Sequence, residues 1–119
     1  MSWKQTLDER KEIVLATASI DGNPNAIIVI SMGIMEEKLL IGACVMNKTL
    51  ENVRSNYRVV IVAKDNGEYY RIKGTASIQT EGDYFDYVYK NSKPPMPKAV
   101  IVIDIIEVFD LDKQQIVAV

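Results

Sequence analysis

A chain of 119 residues can bury one core and is too short for two, so a single domain over residues 1–119 is expected. Its 14 Lys and Arg stand against 16 Asp and Glu, a net charge of −2, which argues against the basic surface that nucleic-acid binding needs. With no histidine and the single cysteine Cys44, the chain cannot form a Ser-His-Asp or Cys-His nucleophile, an internal disulfide or a His- or Cys-based zinc site, so chemistry here calls for a bound cofactor.

The opening stretch MSWKQTLDERKEI lacks the apolar core of a signal peptide, and no apolar run approaches the roughly 18–20 residues of a membrane span. A soluble cytoplasmic protein is expected. Trp3, Leu7 and Ile13 align on one helical face while Lys4, Asp8, Glu9, Arg10 and Lys11 stay wet, which predicts an amphipathic helix over about Trp3–Glu12 that lids the fold. Three strands follow as a meander, IVLATASI, AIIVISMGIM and KLLIGACV, joined by turns at DGNPN and at Glu36-Glu37. After a helix at Asn47–Asn56 come YRVVIVAK and EYYRIKGTASIQT around an Asp65-Asn66-Gly67 turn, whose Asn and Gly tolerate the positive φ of tight hairpins. A second helix is expected over Gly82–Asn91, ended by the SKPPMPK loop because proline cannot continue it. The long strand AVIVIDIIEVFDL and a small one at IVAV complete six or seven strands. The predicted fold is mainly β, a closed or partly closed antiparallel barrel with short flanking helices, since closure removes exposed edges.

The stretch GACVMNKTLENV hands a covered strand directly to a helix that repeats apolar residues at Leu50, Val53 and Tyr57. Asn47 or Thr49 is expected to cap that helix, and Lys48 sets a full positive charge beside its free amides. A helix N-terminus with a hydroxyl and an ammonium attracts an anion, above all a phosphate. Two strands lack the alternation of a one-sided sheet: AIIVISMGIM, with Ala26, Ile28 and Ile30 on one face and Ile27, Val29 and Ser31 on the other, and Ala99–Phe109. Either a ligand or a second copy is expected to cover them, which predicts a homodimer built largely from these two strands; flanking helices offer an alternative cover for one.

The order of ATASIDGNPNAIIV, KLLIGACVMNKTLENVRSN and YYRIKGTASI resembles the split-barrel flavin-binding family related to pyridoxamine 5′-phosphate oxidase, in particular its short FMN-binding members. Met46-Asn47-Lys48-Thr49 between strand and helix is the most specific element. The resemblance implies a homodimer of split barrels with FMN at the subunit interface. Carried over by position, Asn47, Lys48 and Thr49 hold the FMN phosphate, the backbone and side chains of Ile28, Val29, Ile30 and Ser31 line the isoalloxazine ring, and Ala43, Cys44 and Val45 approach the same ligand. Larger vitamin-oxidising relatives bring several arginines to the phosphate where this chain has one lysine. The implied activity is therefore an FMN-dependent oxidoreductase other than pyridoxamine 5′-phosphate oxidase itself, taking electrons from a reduced nicotinamide or similar donor. The alternatives are a flavin electron carrier or storage protein, or a barrel that uses the deazaflavin F420 or has lost its cofactor.

For other residues the plainer role is expected. Cys44 is read as a small packing residue rather than a redox thiol, and Arg71 and Lys73 as a solvated face shared with Tyr69. Tyr84 and Tyr87 are read as packing rather than stacking on the ring, and Asp104 as paired across a dimer or lying at a bulge.

Overall fold

The computed structural model describes residues 3–118. Strand β1 (Glu12–Ala18) pairs antiparallel with β2 (Pro24–Met35) on one side and β4 (Arg58–Asp65) on the other. β3 (Lys38–Ala43) follows β2, and β5 (Glu68–Gln79) and β6 (Ala99–Asp110) continue from β4. β3 then pairs with β6 from Lys38 opposite Asp104 to Ala43 opposite Ala99, which closes six strands into a barrel. The small strand expected at Ile116–Val119 forms as β7 (Gln115–Ala118) on the outer side of β6, with Val119 outside the described residues.

The alternation of each strand decides what fills the barrel. Ile13, Leu15, Val29, Leu39, Ile41, Ile61, Ile72, Ile101 and Ile103 point inward and are at most 5% exposed. Two short elements close the ends. Leu7, on a 3₁₀ helix at Trp3–Leu7, is fully buried beside the start of β1, while Leu50 and Val53 of helix α1 (Asn47–Ser55) pack at the other end, where Asn52 donates to the Thr17 hydroxyl at 3.1 Å.

Four expectations are corrected. The first helix stops at Leu7 rather than Glu12, because Asp8–Lys11 offers nothing apolar to bury, Arg10 turns to φ +79°, and Glu12 is already paired with Ile30. β6 does not wait for a partner over Ala99–Ile103. Helix α2 (Asp83–Lys90) lies on its outer face, and Val88 meets Val100, Val102, Leu40 and Met32 in a second apolar cluster, so both faces are covered within one chain. Of the large apolar side chains on β6, Ile106 is the one strongly exposed, at 51%. Asp104 pairs with Lys38 of β3 in the same chain rather than across a dimer. Arg71 is not merely solvated, since its guanidinium lies 4.6 Å over the Phe109 ring. Tyr84 and Tyr87 do pack, against the α2 cluster.

Among the described residues no helix is long and apolar enough to cross a membrane.

The register of β5 on β6 shifts by one residue after Lys73, leaving Ile106 as the extra residue of a bulge, and Gly74 sits where the chains come closest. A Cβ on Gly74 would lie 2.5 Å from the Asp104 carbonyl oxygen and 2.8 Å from Cγ2 of Ile103. The nearest obstacle is backbone and cannot swing aside. Gly74→Ala is expected to destabilise the fold by about 1–3 kcal/mol, read as the midpoint shift in thermal and urea unfolding; an unchanged midpoint would mean the β5–β6 bulge is not under this constraint.

Candidate functional site

The segment leaving β3 crosses the barrel mouth through Cys44, Val45 and Met46 before α1 begins. Met46 takes the N-cap position without a side-chain cap, so the expectation that Asn47 or Thr49 caps the helix is corrected. Thr49 stands at the third helical position, too far along to reach back as a cap, and accepts instead from the Asn25 side chain at 3.3 Å. The first helical bond runs from the Leu50 amide to the Met46 carbonyl at 3.0 Å, which leaves the amides of Asn47, Lys48 and Thr49 at an open helix end. A bay of about 410 Å³ lies there, bordered by Asn25, Asn47, Lys48 and Thr49. Lys48 leans 3.6 Å toward Glu51, an exposed pair that costs little to separate.

A second bay of about 450 Å³ adjoins the first and shares Ile28, Val45 and Met46 with it. Its floor is apolar, from Ile28, Ile30 and Met32 of β2 and Gly42 of β3, and its far wall is the loop after α2 at Ser92, Lys93, Pro95 and Pro97. That wall is tied down. Arg10 donates to the Asn91 carbonyl at 3.0 Å, the Cys44 thiol donates to the Pro95 carbonyl at 3.3 Å, and the Lys98 amide donates to Ala43 at 2.9 Å. Where the two bays meet, Ile28 is 71% and Val45 84% exposed, an arrangement that leaves large apolar side chains in water unless something lies across them.

The ten residues singled out in the sequence separate in space. Ile28, Val29, Ile30, Cys44 and Val45 border the apolar bay, and Asn47, Lys48 and Thr49 border the bay at the helix end. Ser31 and Ala43 border neither, because their side chains face the barrel. Ser31 is fully buried, donating its hydroxyl proton to Leu7 at 2.6 Å and accepting from the Gly33 amide at 2.9 Å. Val29 shares that inward face, so it offers the bay its backbone and not its side chain. Cys44 is half-buried rather than enclosed. Asn25, Arg10 and Lys93 were missed, and only the turn DGNPN, which holds Asn25, gave a local signal.

The described groups whose titration is shifted all lie outside both bays. Tyr70 is pushed up to about 12 by its 2.5 Å bond to Glu68 and by burial. Lys38 is raised by its hydrogen bond to Asp104, and Tyr84 by its bond to Glu36. The bays present shape, amides and cations.

A family model described as pyridoxamine 5′-phosphate oxidase matches residues 2–112. The chain belongs to the pyridoxamine 5′-phosphate oxidase family. No curated protein sequence matches it. Among solved structures it is similar to HupZ from Group A Streptococcus, with a TM-score of 0.84 and 26% identity over 97% of this chain and 95% of that one. An FMN-binding protein from Syntrophomonas wolfei aligns with a TM-score of 0.71 at 21% identity, over 83% of this chain and 76% of the other. A protein described as F420 reductase aligns at 0.71 and 18% identity, over 91% and 96%. These likenesses accord with the split-barrel fold, and the family membership supports flavin binding in general terms.

Ser31 gives a local test, because the resemblance placed it on a cofactor and the structure gives its hydroxyl two internal partners. Ser31→Ala is expected to cost about 1–3 kcal/mol of stability by stranding the Gly33 amide and the Leu7 carbonyl. Chemical denaturation reads the loss. A variant as stable as the parent would return the hydroxyl to the ligand.

Proposed function

We propose that the two bays form one FMN site and that the protein is a flavin-dependent oxidoreductase, with the phosphate at the start of α1 and the ring over Ile28 and Ile30. The observation that carries this reading is the junction: exposed Ile28 and Val45 join an apolar bay directly to an uncapped helix end with a lysine. The sizes agree, since each bay falls within the roughly 300–1,000 Å³ range of cofactor clefts. At the helix end the three open amides and the Thr49 hydroxyl, whose oxygen accepts from Asn25 and whose proton has no acceptor among the described residues, are donors suited to a phosphate. When bound, FMN supplies hydride acceptance and release, chemistry that needs no histidine. The chain's own work is to bind and orient the ring and to keep water from its covered face. A reduced nicotinamide or similar small donor is the redox partner this reading calls for.

The proposal includes a homodimer, on a surface that keeps β2 from the sequence expectation and sets β1 and β4 in place of β6. Across the outer face of the sheet, Ile28 lies opposite Val14, and Val14 opposite Val62. With Ile30 and Tyr69, this apolar face is exposed and runs into the cleft at Ile28. A second copy laid on it would roof the ring and supply the cover that β2 lacks. Val62→Glu is expected to give monomers in sedimentation at low micromolar concentration and to weaken FMN binding; a parent protein that is monomeric with flavin bound would remove the dimer from the reading.

Purified protein is expected to be yellow, and the mass of the released ligand separates FMN from F420 and from an empty barrel. Lys48→Ala should weaken FMN by about tenfold, the lower end for a charge-assisted contact because Lys48 is more than half exposed. Glu51→Gln should tighten FMN about two- to threefold by removing a carboxylate near the same helix end. Riboflavin, which has no phosphate, should respond to neither. Equal loss of both ligands in Lys48→Ala would indicate general damage, and no loss of either would put the phosphate elsewhere. Steady electron transfer from a reduced nicotinamide to a small acceptor supports the enzyme, and flavin reduction without turnover supports the carrier.

A further inference from the structure

The outer face of the sheet carries a third recess that the flavin reading leaves unused. It is a groove of about 440 Å³ across β1, β4 and β5, beside Asn56 at the end of α1, and it shares no lining residue with either bay. Alternation turns Ala16, Ala18 and Val60 toward it, and the two short alanines are what make the sheet hollow there. Ile106 forms a wall. It is the extra residue of the β5–β6 bulge and stays 51% exposed, so the bulge sets a large aliphatic side chain at the edge of the groove instead of in the core. The charges are one-sided. Arg58 and Lys73 border the groove, and among the described residues no Asp or Glu lines it or pairs with either cation. Glu107 stands opposite Lys73 on β6 and still forms no ion pair with it. Arg58 lies 5.7 Å from the Tyr57 ring centre, a contact that consumes no N–H donor. Because Arg58 pairs with Thr75 and Val60 with Lys73, the two cations are diagonal neighbours on one face, about 7–8 Å apart at the backbone and within reach of a common anion. Like charges set this close repel until something negative lies between them.

We propose that this groove binds a free aliphatic carboxylate of medium chain length, with the chain in the recess over Ala16, Ala18 and Val60 and the head drawn to Arg58 and Lys73. The proposal does not rest on the flavin reading. The floor offers apolar contact alone, which disfavours ligands that are polar throughout, and the paired cations disfavour a cationic head at long range and at contact. From Lys73 on β5 to Ala16 on β1 is two interstrand spacings, about 10 Å, which matches a chain of roughly eight carbons. The apolar face at Val14 and Val62 runs on into the groove at Ala16 and Val60, so a second copy of the chain is the competing occupant. Two unpaired cations beside a hollow fit an amphipathic anion better than a copy of the same surface, which would have to place an acid between them.

The test titrates the purified protein at low salt with octanoate, the uncharged octanamide and hexanoate, followed by amide shifts in NMR. Octanoate is expected to shift the Ala16, Val60 and Lys73 amides and to bind about tenfold tighter than octanamide, with the margin shrinking as salt rises. Hexanoate, two methylenes shorter, should bind about fivefold more weakly than octanoate. Arg58→Gln and Lys73→Gln, both at exposed positions, should each reduce the margin over octanamide about threefold, and the double variant should bind acid and amide alike. Ala16→Leu should fill the hollow and weaken octanoate and octanamide together; should its thermal midpoint fall, the two Gln variants decide. The affinity for FMN should be the same with and without octanoate. Octanoate that displaces FMN, or that shifts the Ile28 and Lys48 amides instead, lies in the bays and overturns the proposal. Silent groove amides overturn it too, by leaving the groove to a second copy or to water, and so does a preference for the acid that survives in the double variant. If the protein takes up no FMN, the flavin reading fails by itself and the amide shifts still decide the groove.

Discussion

Pairing of β3 with β6 is the constraint on which the rest depends. Six antiparallel rungs from Lys38 opposite Asp104 to Ala43 opposite Ala99 close the barrel, and they end where the chain must leave the sheet. The last bond on that side runs from the Lys98 amide to the Ala43 carbonyl, after which Cys44–Met46 crosses the barrel mouth and α1 starts on the far side. Closure thus fixes two things together: an apolar crossing loop and a helix whose first turn faces the same cleft. Slipping the register by one residue would turn Leu39 and Ile41 outward and move both.

Closure also decides which apolar surface is satisfied and which is not. β3 and β6 are apolar on both faces, and α2 covers their outer side with Val88 against Leu40, Val100 and Val102. Gly42 permits that approach, since a Cβ there would meet Val88 at 3.2 Å and Pro97 at 3.4 Å. β2 has the same two-sided composition without such a cover past Met32, so Ile28 and Ile30 stay exposed. One helix of eight residues cannot lie over both halves of the barrel. The side it leaves bare is the side that carries the cleft.

The strands, their order along the chain and the helix at Asn47 were legible because period-two and period-3.6 patterns are local. The β6 interface was misjudged because an apolar strand states that it needs cover without stating from where, and the Val88 contact links positions distant in sequence. The period of two also limits what a strand can offer a ligand: Ile28 and Ile30 point one way and Val29 and Ser31 the other, so the four side chains cannot line one ring. The opening helix failed for a different reason. Its charged run from Asp8 fits helical spacing equally well, yet burial stops with Thr6 and Leu7, and the element ends there. Arg10, Asn25 and Lys93 gave no signal as a group, since closure of the barrel is what brings their separate segments to the two adjoining bays.

An uncapped helix start is a local defect that a neutral folding criterion would remove. A Ser, Asp or Asn at position 46 would add about 0.5–2 kcal/mol, yet Met46 stands there and sends its side chain toward the core cluster. Arg10 in left-handed backbone is a second local defect, and exposed Val45 and Ile28 are a third. Each alone is within ordinary variation. All three border the two adjoining bays, although left-handed backbone at residues other than glycine also occurs away from them, at Glu36, Glu37, Asn66 and Gln114. Where a fold departs from local preference repeatedly in one place, the departures are consistent with a site whose occupant supplies what the chain withholds: an anion for the amides and an apolar ring for the aliphatic junction.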